Sequence, residues 1–317
     1  MQRVSTSELE ALSRDWDAMA EADAGVDRFC ARSAWQHSFH QAFDPERDLW
    51  LGRDGQSMAV LAERADGLLE PLENMWGFGA PLIGPESGAL LARWLLDRPR
   101  PTILLGIPGD RDRLSAIVEP LAPVFNFRLV SATKRFEISL EDGLAGWLAC
   151  RSASFRRNLR SARRRTQNES VEFRWIEVEA GEPTEAHFRT VLDVESRSWK
   201  GIRGEGAGEG PMLAFYLQLW PRLSEEGRLR LLLAERDGVV IGYLHGGQVG
   251  DHFRGLQFSF DHAFAHLGLG NVLQYEALSQ LAASGVRSYD LGSYSDYKAR
   301  WGDDGLETVG LFMSPRS

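Results

Sequence analysis

The sequence predicts a mixed α/β protein made of two halves of similar plan, divided near Ser139–Cys150. Three observations carry that prediction. Strands, a glycine-rich loop, a helix, a strand, a helix and a further strand follow one another in the first half, and a similar order returns in the second. The runs Leu229–Glu235, Val239–Gly246 and His252–Phe260 are joined by Asp237-Gly238 and Gly250-Asp251, connections short enough for an antiparallel meander. The stretch AHLGLGNVLQYEAL, Ala265–Leu278, then sets two glycines directly before an amphipathic helix. Only the order of elements recurs; the residues do not repeat.

In the first half, Ser7–Ala20 carries Leu9, Leu12, Trp16 and Met19 near helical spacing, and Trp35–Phe43 follows as a second helix. Asp48–Gly52, Ser57–Arg64 and Gly67–Leu72 read as strands punctuated by Asp54-Gly55 and Asp66-Gly67. A glycine-rich loop leads to a helix near Ser87–Leu96, a strand at Thr102–Gly106, a helix at Arg111–Leu121 and strand material in Phe127–Leu140. In the second half, Ser152–Gln167 reads as a helix, Val171–Ile176 as a strand and Glu185–Trp199 as a helix. The loop KGIRGEGAGEGP has little to pack with, and a helix over Met212–Leu223 precedes the meander. After the glycines, a helix from Asn271 to Ala283 ends at Ser284-Gly285, and Val286–Leu291 returns as a strand.

With 317 residues, 43% of them hydrophobic and 26% charged, the chain can bury two modest cores or one large one without covalent staples. Cys30 and Cys150 are the only cysteines, so reduced thiols are expected rather than a disulfide framework. The N-terminal stretch lacks the apolar core of a signal peptide, and no apolar run approaches the roughly 18 residues of a membrane span. A soluble, cytoplasmic protein is the expectation. The net charge of −9 argues against a general nucleic-acid binder, which needs a basic surface.

Glycine at a helix start costs backbone entropy, so Gly268 and Gly270 ask for a reason. The first N–H groups of a helix lack partners and the dipole there favours an anion, so a diphosphate suits such a junction. Gly268 would supply positive φ, and Gly270 a backbone that an oxygen can approach. A plain turn with no ligand is the competing reading. A dinucleotide fold fits poorly, since it wants a parallel βαβ unit and a third spaced glycine.

The strand, glycine loop, helix and strand of the second half resemble the GNAT superfamily of acyl-CoA-dependent acyltransferases. Its Gln/Arg-x-x-Gly-x-Gly/Ala loop is matched here by AHLGLG, with Ala265 in place of the first residue. SASFRRNLRSARRR (Ser152–Arg165), ESRSWKG (Glu195–Gly201) and YDLGSYSDYKARWG (Tyr289–Gly302) resemble one branch, the CelD/BcsL-type acetyltransferases labelled with cellulose biosynthesis and related to Fem-type peptidyltransferases. The resemblance implies tandem GNAT-like halves, each a mostly antiparallel twisted sheet flanked by helices. It assigns 1–145 to a degenerate GNAT-like domain and 146–317 to the domain with the acyl-CoA site. Acetyl-CoA is the implied co-substrate. Its diphosphate would rest on Leu267, Gly268, Leu269, Gly270 and Asn271, and its pantetheine along the strand edge at Leu256 and Phe258.

Candidate chemistry gathers after the returning strand. Tyr294 or Tyr297 could protonate a departing thiolate, and Lys298 could hold the oxyanion of a tetrahedral intermediate. By resemblance, Tyr297-Lys298 matches the aromatic-lysine element of Fem-type enzymes. For the base, Asp261 and His262 end the third strand of the meander, while Tyr243, His245 and Asp290 compete; each reads more simply as structural, since Asp at a strand end often just caps a turn. Arg151 to Arg165 holds seven arginines and no acid. These form either a solvated face or, through Arg156 and Arg160, a grip on phosphate or carboxylate. Trp199 reads as a core anchor. With Lys200, His245 and Asp290 it is also a candidate for acceptor binding, the acceptor being a small molecule, saccharide or peptide. His262 and His266 lack a third ligand, and no metal is expected. Two other readings remain open: aminoacyl transfer from charged tRNA, and non-catalytic binding of an anionic polymer.

Overall fold

The structure is a computed structural model that describes residues 1–204 and 206–316, with Ser131 described by its backbone alone. In chain order it runs β1 (Gln2–Val4), α1 (Thr6–Glu10), α2 (Ser13–Ala22), α3 (Ser33–Phe43), β2 (Asp48–Asp54), β3 (Ser57–Glu63), β4 (Leu69–Glu70), β5 (Leu82–Ile83), α4 (Ser87–Asp97), β6 (Thr102–Pro108), α5 (Arg111–Leu121) and β7 (Phe125–Ser139). Then come α6 (Gly143–Ala149), α7 (Ala153–Asn168), β8 (Glu172–Glu177), α8 (Glu185–Arg197), α9 (Trp199–Ile202), α10 (Gly210–Glu225), β9 (Leu229–Arg236), β10 (Val239–Val249), β11 (His252–Phe260), α11 (Leu269–Ala283), β12 (Ser288–Ser293) and β13 (Asp303–Pro315). Glu205, within the glycine-rich loop of the sequence reading, lies outside the described residues.

The chain divides into two compact units, Met1–Lys134 with Leu306–Ser317, and Arg135–Gly305. In the first, the strands pair in the order β1-β2-β3-β4-β6-β13, with β5 beside β3. The β2–β3 hairpin runs from Asp48 opposite Glu63 to Asp54 opposite Ser57, and the turn at Gly55 takes φ +56°. Helices α4 and α5 cover this sheet through Leu91, Leu95, Ile117 and Leu121. In the second unit the order is β7-β12-β11-β10-β9-β8. Its core joins Leu232, Leu244 and Phe253 of the sheet to Leu273, Leu278 and Leu281 of α11. Both units are mixed α/β with mostly antiparallel sheets flanked by helices. Among the described strands each has one parallel pair, β4 with β6 and β11 with β12.

Several elements depart from the sequence reading for identifiable reasons. The first helix is two helices: Ser5 and Glu8 form a capping box that starts α1, and the chain breaks at Leu12 before α2. Leu9 and Trp16, seven apart, keep one buried stripe across the break, so periodicity does not register it. Strand β13 went unread because its first residues, Asp303, Asp304 and Glu307, hide the alternation; it pairs with β6 from Thr308 opposite Pro108 to Met313 opposite Thr102. The expected divider at Ser139–Cys150 contains α6, anchored by buried Trp147, whose indole N–H donates to Trp301 O at 2.9 Å.

Candidate active site

The second unit's site grows out of how β11 meets its neighbours. Against β10, Gly246 faces Gly255 and His245 faces Gln257, leaving Leu256 as an extra, unpaired residue, a β-bulge. Against β12, pairing lasts only from His252 with Ser288 to Arg254 with Asp290. Two parallel strands therefore part at the bulge, and a wedge opens between them. A cavity of about 150 Å³ fills it. Gly255, Leu256, Gln257 and Phe258 line one side and Tyr289 and Leu291 the other, with Leu244 and Gln274 at the base and Lys200, Tyr297 and Lys298 closing it.

Lys298 Nζ donates to Ser293 O at 3.0 Å. Burial lowers its pKa to about 8, helped by the Arg254 and Lys200 charges and opposed by Asp290. The Tyr297 phenol is pushed well above its ordinary value by burial and so stays protonated at neutral pH. Asp290 is buried at the foot of the wedge, where it pairs with Arg135 at 2.9 Å and Arg254 at 2.6 Å and accepts the Gly292 amide at 2.6 Å. The two arginines come from β7 and β11, so this ionic cluster ties the strands together at the point where pairing ends.

Of the residues singled out in the sequence, the structure brings Lys298, Tyr297, Lys200, Leu256 and Phe258 to the wedge. Tyr243 and His245 point to the other face of the sheet, because neighbours along a strand alternate and Leu244 faces the cavity. His245 packs edge-on to Trp220, and burial takes its pKa down to about 3. Asp261 caps the following 3₁₀ turn through Ala263 N and pairs with Arg197 at 2.8 Å. Trp199 corrects an expectation: it is no core anchor but 41% exposed, with the Lys200 and Arg203 cations over its ring. It starts its own short helix after a break at Ser198, whose hydroxyl accepts Gly201 N.

The glycines have a packing reason. Gly268 takes φ +70°, and a Cβ there would come within 3.2 Å of Ala162 Cβ and 3.0 Å of Arg165 Nη2. Helix α7 lies over it, and Arg165 Nη2 donates to Leu267 O at 3.1 Å. A Cβ at Gly270 would meet the Phe260 ring at 3.0 Å and Phe258 at 3.3 Å. Leu267, Leu269 and Gly270 are buried, whereas Asn271 is half-exposed. Asn271 lines a second cavity of about 460 Å³, with Arg151, Ser152, Ser154, Phe155 and Asn158 at the start of α7, and Arg300. Tyr297 belongs to both cavities.

The arginine helix is partly spent on structure. Arg156 donates to Arg151 O at 2.6 Å, and Arg163 pairs with Glu276 at 3.2 Å. Arg157, Arg160 and Arg164 form an exposed line along α7. Sequence reasoning missed Glu195. It is 2% exposed and accepts the Tyr243 hydroxyl at 2.9 Å, Ala207 N at 3.1 Å and, at 3.4 Å, Gln257 Nε2 from the cavity wall. The signal existed: with Phe188 and Val191, Glu195 continues the buried stripe of α8, where a carboxylate needs a reason.

Residues 153–299 match the family model described as the acetyltransferase (GNAT) domain. No curated protein matches the chain. Among solved structures, a conserved protein of unknown function from Bacteroides thetaiotaomicron is similar at 15% identity and TM-score 0.67, covering 96% of this chain and 97% of that one. L-PGS from Bacillus licheniformis is similar at 12% identity and TM-score 0.61, covering 100% and 94%. FemX is similar at 12% identity and TM-score 0.61, covering 98% and 97%. The likeness is one of fold. No helix among the described residues is long and apolar enough to cross a membrane.

Proposed function

We propose that the chain is an acyltransferase of the CelD/BcsL type, moving an acyl group, most simply acetyl from acetyl-CoA, to an amine or hydroxyl acceptor in the wedge. The observation that carries this reading is the parting of β11 and β12 at the Leu256 bulge, which leaves a strand edge beside a half-buried lysine and a buried phenol hydroxyl. An extended pantetheine arm can add to that edge as a strand would. In the direct-attack sequence, the acceptor's lone pair forms a bond to the thioester carbonyl carbon and the oxyanion develops toward Lys298 Nζ. The carbon–sulfur bond then breaks, the thiolate takes a proton from Tyr297, and the proton shed by the acceptor's nitrogen or oxygen restores the phenol, directly or through water.

The carrier's phosphates fit the larger cavity better than the glycines. Arg151, Arg300, Asn271 and the start of α7 offer donors there, while Gly268 lies under Arg165. Neither Asp261 nor Tyr243 reaches the cavity, so an acceptor amine would enter already neutral or lose its proton through water.

Calorimetry with acetyl-CoA and a thiol-release screen over amines, saccharides and peptides test the proposal. Lack of binding at millimolar acetyl-CoA, together with no thiol release above the solvent rate, would refute it. The exposed line of Arg157, Arg160 and Arg164 favours one alternative, aminoacyl transfer from charged tRNA. Activity that withstands RNase eliminates it.

A further inference from the structure

The first unit carries a groove of about 570 Å³, larger than either cavity of the second unit, and the acyl-transfer reading makes no use of it. One face of α2 forms its floor, with Ala18, Met19 and Ala22 at helical spacing, and Pro85 stands opposite. Two guanidinium groups border this apolar floor. Arg53, from β2, pairs with Asp15 at 2.8 Å. Arg113, from α5, pairs with Asp23.

The second pair is built with care. Asp23's side chain is only 6% exposed, and it also accepts the amides of Gly84 at 2.8 Å and Gly25 at 3.0 Å, so it cannot swing away. The Arg113 guanidinium lies against Gly25, where a Cβ would come within 2.4 Å of Nη2. A buried acid thus holds Nη2 of a partly exposed arginine whose Nε also lies against Gly25, which leaves Nη1 for the groove. A charged N–H donor so placed suits an oxygen of a carboxylate or phosphate. The apolar floor beside it matches a short hydrocarbon body.

We propose that this groove is a second ligand site, for an organic oxyanion on a compact apolar body, with its head on Arg113, its flank at Arg53 and its body on Ala18, Met19, Ala22 and Pro85. The site is independent of acyl transfer. Calorimetric titration of the full chain with octanoate and octyl phosphate tests it, with octanol and octyltrimethylammonium as neutral and cationic controls. Saturable binding of an anion is expected, weakened about tenfold by Arg113→Gln or by the more exposed Arg53→Gln, blocked by Ala22→Trp and untouched by Lys298→Met. Tighter binding of octyl phosphate identifies a phosphate monoester as the head, and tighter binding of octanoate a carboxylate. Arg53→Gln keeps the test open should Arg113→Gln unfold. Failure of both anions to bind at millimolar concentration, equal binding of octanol, or affinity indifferent to Arg53→Gln and Ala22→Trp would overturn the proposal.

Discussion

Replacing Lys298 by methionine keeps the length and the apolar stem of the side chain but removes the ammonium group from the wedge. With a pKa of about 8, that group is ~90% protonated at pH 7 and ~10% at pH 9. If the cation holds the oxyanion, then with an acceptor that does not titrate in this range kcat/KM for thiol release from acetyl-CoA is level to pH 7, bends near 8 and falls about tenfold per pH unit beyond it. Lys298→Met should then cost about 10²–10³ in kcat and abolish the bend. Lys298→Arg should keep the rate level past pH 9, because guanidinium does not titrate there. A rate that climbs through pH 8 would make the neutral amine a base and refute the oxyanion role. A Lys298→Met enzyme within threefold of wild type would remove the residue from the chemistry.

The same displacement acts on folding with a definite sign. The folded-state pKa lies below the unfolded one, near 10.5, so between about 8 and 10.5 the unfolded chain binds more protons and stability rises with pH. At pH 7 the buried charge opposes folding by at most ~3 kcal/mol, less in proportion to the residue's remaining solvent contact. Urea denaturation should therefore find Lys298→Met more stable than wild type at pH 7 and similar to it above pH 10. No pH dependence of that difference would mean that Lys298 is hydrated rather than buried.

Other substitutions test the frame around the wedge. Asp290→Ala leaves Arg135 and Arg254 buried without their shared carboxylate, and should cost about 3–5 kcal/mol in urea denaturation. Glu195→Ala strands the Tyr243 hydroxyl and should cost about 1–3 kcal/mol; Tyr243→Phe should cost less, and the double mutant less than the sum of the two. Gly268→Ala forces a Cβ into the left-handed region and against Arg165, destabilising the apo protein by about 1–2 kcal/mol. An effect seen only with acetyl-CoA present would instead indicate a phosphate at that glycine.

What the sequence made legible and what it hid divide along physical lines. The meander was readable from its turn residues Asp237-Gly238 and Gly250, which take positive φ, and α11 from its length and its stop at Ser284-Gly285; these signals are local in the chain. The Leu256 bulge was not, because a bulge belongs to the register between two strands and neither strand's composition records it. The Arg135–Asp290–Arg254 cluster joins three distant segments and leaves no spacing to read. The glycines show the limit most clearly. A missing Cβ reports that something must come close, and a diphosphate and a packed helix leave the same mark. The segment lying on Gly268 is α7, whose arginines the sequence offered either to solvent or to a substrate anion. The group over the glycine is the Arg165 guanidinium, a cation that would attract a phosphate but would have to be drawn away from Leu267 O. At Asn271, one turn further, no such displacement is required, and Arg151 and Arg300 border the cavity. That is why an acyl carrier, if this chain uses one, should be sought there.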